Sequence, residues 1–574
     1  NLDIAICCSL EQLQRIFGDE FKRSQGNQAR RYNLLAARLI ADLVKSFLGP
    51  RGMAKMFVDV LGETTITKDG ATFLRKIDVE HPAAKVMIEA SNAVDNAVGD
   101  GTTSVIVLAG GLVKKADELL VSGIPPIVIA EGYSQALEIS LDFLRRLSQK
   151  TSNSNRQILA DIAKTCLNSK LVHLPGIPER AANIVVDAIV TISDFQNNSV
   201  EIDDIKIEEK IGNPSDTCLV RGIVIDKTID SSAMPRAIRN AKILLIDAEL
   251  ENKLTKGDAE VRVDSHRDLQ AFLLGMSDKL KHMIQGIIES GANVVISRKG
   301  IGLLAQSMLA QSNIISIKRV KENDLLWIEK ATGAKITNDL NIDSISSCLG
   351  YAGIVHESLV GDDKMVFIEE CINPKAVTIL LRSSSKTILD EFHRSVLDSI
   401  FVLQNYVVKP LIVYGGGSLE AIIANRIRKV ADATRGKQQL VLEKFAIALE
   451  EIPLTIARNA GMDELNTITE LRAKISKQTD AKLGWYGINA IERKVDDMRY
   501  KMVLEPTVVK EQVLKTAVEV TSLLIRVDDV LIKKQVLNTH THSDGTIHSH
   551  SGGNKNHDHF DRLGKQQRPM HHYY

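Results

Sequence analysis

The chain has few cysteines. Six in 574 residues (Cys7, Cys8, Cys166, Cys218, Cys348 and Cys371) lie scattered, with no CxxC pair and too little density for a disulfide framework. That distribution predicts a reducing compartment, with isolated thiols acting as small buried hydrophobes. The clustered ligands that a zinc site needs are missing from the body of the chain. Charge of one sign is lacking too: Lys+Arg and Asp+Glu each number 72, for a formal net charge of zero. Without a basic surplus or stripe, nucleic acid is not expected as the main partner. The longest apolar run, around residues 105–113, falls far short of the roughly 18 residues that span a bilayer, so no membrane partner is expected. The first residues carry no basic segment leading into an apolar stretch and a small-residue cleavage site, so a cytoplasmic protein is expected. No Walker GxxxxGK[ST] occurs, which excludes a conventional phosphate-binding-loop ATPase.

What remains is ordinary globular composition, 44% hydrophobic and 25% charged, which rules out wholesale disorder. The length suggests roughly three to four domains. From about 33 to 120 the pattern is helical: Leu34, Leu35, Leu39, Ile40, Leu43, Val44 and Phe47 recur near 3.6-residue spacing until Gly49-Pro50. A short β-like piece at 63–67 precedes a turn at Lys68-Asp69-Gly70. Helical stretches at 82–98 and 102–120 are separated only by Gly99-Asp100-Gly101. Residues 125–212 read as mostly helical. At about 216 the texture changes, with strand-like runs at 218–229, 241–250, 293–297, 314–320 and 365–370 between helices: an α/β domain inserted into a helical protein. A strand at 377–381 leads into a helix at 386–404, and helical periodicity then dominates to about 534. Eight of the 14 histidines fall between His540 and His572, in what composition reads as a solvated tail.

Gly99-Asp100-Gly101-Thr102-Thr103 is the most informative element. Its glycines allow a tight turn and close approach of a ligand. The amides opening the next helix form an anion site, and Asp100 is suited to the Mg²⁺ that accompanies a triphosphate. The competing reading is an ordinary helix–helix turn with a capping Asp. Leu48-Gly49-Pro50-Arg51-Gly52 and Thr67-Lys68-Asp69-Gly70 are either phosphate-lining turns or plain turn chemistry. Gly415-Gly416-Gly417 is either a backbone surface for a nucleotide or a flexible connector. Asp398, in an amphipathic helix beside Asp390 and Glu391, has the chemistry to deprotonate an attacking water, but nothing local separates it from a solvated carboxylate. Gly300-Ile301-Gly302-Leu303-Leu304-Ala305 matches a dinucleotide fingerprint, with Asp324 about twenty residues on; no second mononucleotide half accompanies it. In the tail, His540/His542, His548/His550 and His557/His559 have a spacing able to bind Zn²⁺, Ni²⁺ or Cu²⁺.

In order along the chain, LGPRG (48–52), TKDGAT (67–72), HPAAK (81–85), GDGTTS (99–104) and GGG (415–417) resemble the signature of group II chaperonins, closest to the archaeal thermosome type. DTCLVRGIVIDK (216–227), GANVV (291–295), ATGAKI (331–336), GDDKMVFIE (361–369), NPKAVTILLR (373–382) and LLIRVDDV (523–530) extend the likeness over about 22–534. The resemblance implies a multidomain chaperonin fold. Its parts are a mostly helical equatorial domain (1–148 and 406–535), a small α/β intermediate domain (149–215 and 370–405), and an inserted α/β apical domain (216–369). The resemblance also implies that a helical protrusion at about 251–280 is the built-in lid; the His-rich tail at 536–574 has no counterpart in the family and is expected from its composition to be disordered.

The same resemblance implies an ATP-dependent chaperone subunit that encloses unfolded proteins in a double ring of identical or paralogous subunits, without a separate lid cochaperonin. ATP and Mg²⁺ are implied, and K⁺ by the same likeness. Asp398 and Asp69 are the implied catalytic residues and Asp100 the metal ligand. Nucleotide contacts fall to Leu48, Gly49, Pro50, Lys68, Gly70, Gly99, Gly101, Thr102, Thr103, Ser104, Lys170, Gly415, Gly416 and Gly417. Two positions depart from the family: Arg382-Ser383-Ser384 where Arg-Gly-Gly is usual, and Tyr500 where relatives often carry Glu near the ribose. They leave room for an alternative, a specialised ring subunit with weakened ATPase serving assembly or client selectivity. An oxidoreductase built on 300–305 would require NAD(P)H binding, which is not expected.

Overall fold

A computed structural model describes residues 21–170, 176–251, 278, 280–477, 484–533, 538–541 and 547–550. Two compact units emerge: Asn33–Arg526, and Asn1–Tyr32 with Val527–Tyr574.

The smaller unit joins the chain's two ends. Phe21–Gln25 pairs antiparallel with Asp529–Lys533, with Arg23 opposite Leu531 and Gln25 opposite Asp529. The Arg23 guanidinium grips the Asp529 carboxylate through Nε and Nη2 at 2.9 and 2.5 Å. In the tail, Asn538–Thr541 pairs antiparallel with Ile547–His550. Residues 551–574, and with them His557 and His559, lie outside the described residues.

The larger unit contains three main apolar cores. The first is helical and draws on both halves of the chain, from Leu34 to Leu144 and from Val413 to Ile525. At its centre runs helix Thr102–Val121, where Val105–Val113 is buried without a break, as expected of a helix apolar all round. Around it pack the 33–45 part of helix Gly26–Lys45, and helices Pro82–Val98, Pro126–Leu147, Lys437–Leu449 and Thr507–Arg526. Gly110 makes one of these crossings possible: a Cβ there would lie 2.2 Å from the Ala41 Cβ.

The second core surrounds a seven-stranded mixed sheet. Val294–Ser297 lies parallel between Ile315–Ile317 and Ala237–Ile246. Gly350–Val360, Asp363–Glu369 and Ile223–Ile225 continue antiparallel from there. The third core packs helices Arg156–Lys170, Ile177–Ile192 and Lys386–Val408 over Ile205–Ile211, Val377–Ser383 and Cys218–Val220. Val377–Ser383 is buried at every position, the mark of a central strand.

Several expectations need correction. Ile205–Ile211 is a strand, not helix: Lys206 looks out of place on a buried face, but its ammonium is satisfied by Asp324 at 2.6 Å and the Val224 carbonyl at 2.7 Å. The run 218–229 breaks at Gly222, where a Cβ would lie 2.0 Å from the Ile368 carbonyl oxygen. Gly350–Val360 is a strand that periodicity missed, since its glycines and mixed polarity hide the alternation. The antiparallel pair Tyr486–Asn489 with Lys494–Asp497 interrupts the helical C-terminal part. The helix expected at 386–404 runs to Val408, and strand Leu411–Tyr414 follows where helical periodicity was expected. Cys166 is buried as expected of a small hydrophobe, but Cys218 is exposed. Most of the expected protrusion at 251–280 lies outside the described residues. No helix among the described residues is long and apolar enough to cross a membrane.

Gly110→Ala is expected to destabilise the helical core by about 1–3 kcal/mol through overpacking against Ala41. A lowered thermal unfolding midpoint checks it; an unchanged midpoint contradicts it.

Candidate functional site

Strand Thr64–Thr67 ends on the Lys68-Asp69 turn, and Asp69 caps helix Gly70–Lys76. Its Oδ2 accepts the Thr72 backbone N–H at 2.7 Å, and its Oδ1 accepts the Thr102 hydroxyl at 3.0 Å. Asp69 is therefore tied to the start of helix Thr102–Val121, where the second loop lies. There Gly99 (φ +68°) ends helix Pro82–Val98 and Gly101 (φ +83°) begins the next. Both need left-handed backbone, and both lack room for a side chain: a Cβ would lie 2.3 Å from Phe401 at 99 and 2.7 Å from Val513 at 101. The helix has no side-chain cap. Asp100 is thus not the capping residue of an ordinary turn, and the opening amides lack intrahelical acceptors.

Asp100 instead faces two adjoining cavities. The larger, about 490 Å³, is walled on one side by Leu48, Gly49, Pro50, Asp100, Gly101 and Ser104, and on another by Gly416 and Gly417. The smaller, about 60 Å³, takes in Lys68, Asp69, Thr102, Thr103 and Lys170, and shares Gly49, Asp100, Gly101 and Ser104 with the first. Gly70, Gly99 and Gly415, expected among the contacts, line neither. Space explains them: a Cβ would meet the Thr103 hydroxyl at 2.7 Å from position 70 and the Glu505 carboxylate at 2.2 Å from position 415. Gly416 and Gly417 both have positive φ, and Gly417 opens helix Ser418–Ala433 without a side-chain cap.

Lys170 ends helix Arg156–Lys170 and is almost wholly buried. Its ammonium pairs with Asp398 and lies 3.7 Å from Asp100. Asp398 lines neither cavity itself but reaches the smaller one through Lys170, which lines it. Burial opposes the charge on Lys170, yet the carboxylates of Asp398, Asp100 and Asp69 hold its pKa well above the usual value. Burial pushes the Asp398 carboxyl up to about 7; Lys170 pulls against this, and Asp69 adds to the rise. Asp69 is also desolvated, but Lys170, Thr72 and Thr102 favour its anion enough to keep it below the ordinary value. Burial lowers the Lys68 ammonium to about 8, with Glu391 opposing; its Nζ lies 3.4 Å from the Gly49 carbonyl oxygen.

Sequence reading missed a buried triad on the far wall. The Lys510 ammonium lies 2.7 Å from Glu505 and 2.9 Å from Glu420, and both Lys510 and Glu505 line the larger cavity. Burial raises Glu505, with Lys510 opposing. The signal was available: Lys510 sits on an apolar helix face, one residue after Val509 and three before Val513, where a charge needs a partner. Asn489 and Glu492 also line this cavity, supplied by the unforeseen 486–497 hairpin. Tyr500, expected near a ribose, is 82% exposed and lies outside the wall. Ser383 ends the buried strand Val377–Ser383, and Ser385 caps helix Lys386–Val408.

The Gly300–Ala305 match is not a dinucleotide loop. Its backbone is engaged in the protein, with the Gly302 N–H donating to the Leu250 carbonyl at 2.9 Å. A Cβ at 300 would lie 1.9 Å from the Glu251 carboxylate, a group that repels pyrophosphate.

The pattern of the TCP-1/cpn60 chaperonin family matches residues 40–535. Thermosome subunit alpha of Sulfurisphaera tokodaii is 43% identical over 521 residues, covering 89% of this chain and 92% of the relative. Thermosome subunit beta of Archaeoglobus fulgidus is 42% identical over 516 residues, covering 89% and 93%. The thermosome subunit of Methanocaldococcus jannaschii is 40% identical over 516 residues, covering 90% and 94%. With the family pattern spanning most of its length and relatives this similar end to end, the chain belongs to the TCP-1/cpn60 chaperonin family.

Proposed function

We propose that the chain is an ATP-dependent chaperone subunit of the group II type, hydrolysing ATP in the paired cavities and enclosing unfolded proteins in a double ring. One observation carries the ATPase reading: Asp69, Asp100 and Asp398, far apart in sequence, meet around the buried Lys170 ammonium beside an uncapped helix start. The larger cavity, about 490 Å³, suits a nucleotide. The donor set also fits magnesium, which is commonly held by one or two carboxylates together with substrate phosphates. Asp100 is the residue to hold it; when bound, the ion neutralises charge on the phosphates.

The chain's own residues account for the rest. The amides opening helix Thr102–Val121 and the Thr103 and Ser104 hydroxyls receive phosphate oxygens. Lys170 adds positive charge where negative charge develops. Asp398 orients the attacking water and accepts its proton as the water oxygen bonds to the terminal phosphorus and the bond to the bridging oxygen, which leaves with ADP, breaks. Asp69 holds Thr102 in place and sits by the terminal phosphate. Gly49, Pro50, Gly416 and Gly417 bring backbone against the nucleotide, and Lys510 with Glu505 gives the far wall paired charge.

The three cores support the domain reading: equatorial for 1–148 and 406–535, intermediate for 149–215 and 370–405, apical for 216–369. Lys170 and Asp398 belong to the intermediate part, so hydrolysis requires that part to sit down on the nucleotide. Unfolded clients bind apolar surface on the apical part, where Leu303 and Leu359 are exposed. The four described cysteines are all free, in keeping with a reducing cytoplasm. The alternative of a weakened ATPase has no support at Tyr500, which stands outside the cavity wall.

Electron microscopy of the purified protein with and without ATP tests the assembly; particles without rings would sink this reading. Asp398→Ala is expected to bind ATP while hydrolysing it at least about a hundredfold more slowly, since water activation is lost. Equal turnover by variant and wild type rejects that role. Because only the ionised Asp398 carboxylate accepts a proton, wild-type turnover at saturating ATP is expected to fall as pH drops below about 7. A profile flat from pH 8 to 5.5 would contradict it.

A further inference from the structure

Helix Lys386–Val408 carries a second buried acid besides Asp398. Glu391 lies seven residues earlier, two turns along, so both side chains fall on one face of the helix. One oxygen of Glu391 is occupied within the helix: Oε2 accepts from Arg394 Nη2 at 2.8 Å and Nε at 3.1 Å. The other reaches across to a part of the chain 323 residues away, where Oε1 accepts the Lys68 backbone N–H at 2.9 Å. Lys68 is the residue after strand Thr64–Thr67 and before Asp69, and its N–H falls outside the ladder that pairs this strand with Lys55–Val58.

Glu391 lines neither cavity, so any effect on chemistry passes through the Lys68-Asp69 turn it holds and through Asp398 on its own helix. A charged acceptor on a backbone N–H is shorter and stronger than a neutral pairing, and at a buried position water does not weaken it. Arg394 alone would satisfy a carboxylate on the helix surface. The bond to Lys68 adds something Arg394 cannot: it sets the height of helix Lys386–Val408 against the Lys68-Asp69 turn.

We propose that Glu391 is a positioning residue that locks the helix bearing Asp398 onto the Lys68-Asp69 turn, so that Asp398 reaches its water only while Asp69 holds Thr102. The proposal rests on the ATPase reading above. It adds a contact that reports, in one hydrogen bond, whether the helix is seated.

The test uses the full-length chain with Glu391→Ala, Glu391→Gln and Glu391→Asp, measuring ATP affinity, turnover and amide hydrogen exchange over residues 64–70. Glu391→Ala is expected to lower kcat by about ten- to a hundredfold, the cost of a misplacement near 1 Å. Its ATP affinity should stay within roughly twofold, because the bond matters to the transition state rather than to binding. Exchange at Lys68 should quicken. Glu391→Gln keeps an acceptor oxygen and should recover most of the turnover and the protection. Glu391→Asp, one methylene too short, should behave like Ala, and the Gln–Asp contrast decides the matter if the Ala variant does not fold. Unchanged turnover in Ala or Asp, Gln as damaged as Asp, or undisturbed Lys68 exchange overturns the proposal. Absence of ATP turnover by the wild-type chain would instead sink the ATPase reading, while the exchange measurement would still judge the contact.

Discussion

The ion pair between Lys170 and Asp398 is the contact on which the site depends. Lys170 is buried and Asp398 mostly so, on helices of one core, while Asp69, Asp100 and Thr102 stand at helix starts of another. Stripping one partner from a buried pair costs about 3–5 kcal/mol, because it leaves a charge in low dielectric with nothing to answer it. The carboxylates of Asp69 and Asp398 therefore tolerate two arrangements: packed around the Lys170 ammonium, or opened to water. Intermediate separations, dry but unpaired, are the costly ones. A structure with two acceptable arrangements and a poor middle is what a nucleotide-driven switch requires.

That constraint explains the glycines around it. Gly99 admits Phe401 of the Asp398 helix against the loop, and Gly101 admits Val513. Close approach of two helical bodies at Asp100 leaves no room for a Cβ at either flank, so the loop serves packing and ligand approach with the same residues. On the opposite wall, Lys510 between Glu420 and Glu505 follows the same rule: a cation is buried only in company, and the company is supplied by a neighbouring helix and the short strand Leu504–Pro506.

Much of this was legible in the sequence where the chemistry is local. The helices on either side of Gly99-Asp100-Gly101, the Asp69 turn and the Gly416-Gly417 backbone could be read from spacing and turn residues, because a left-handed glycine or a capping Asp states its own geometry. The strand at 205–211 and the 486–497 hairpin could not. Lys206 and Lys510 look like breaks in an apolar pattern until their partners, Asp324 and Glu420, arrive from remote segments. Glu391 is the extreme case: nothing near it in sequence announces Lys68. Family likeness brought the Asp398 helix to the site, but the bond at Glu391 exists only in three dimensions.

The largest core closes late. Its first half ends at Leu144 and its second begins at Val413, so everything between must leave the ribosome before Val105–Val113 finds Val518 or Leu524. The inserted sheet has its own apolar centre and can settle first. Until synthesis nears its end, the emerging helices of this core hold a broad oily face without a mate. A protein of the kind that shelters unfinished chains thus spends its own infancy as one, and its manufacture calls for neighbours able to cover that face until the last helix appears.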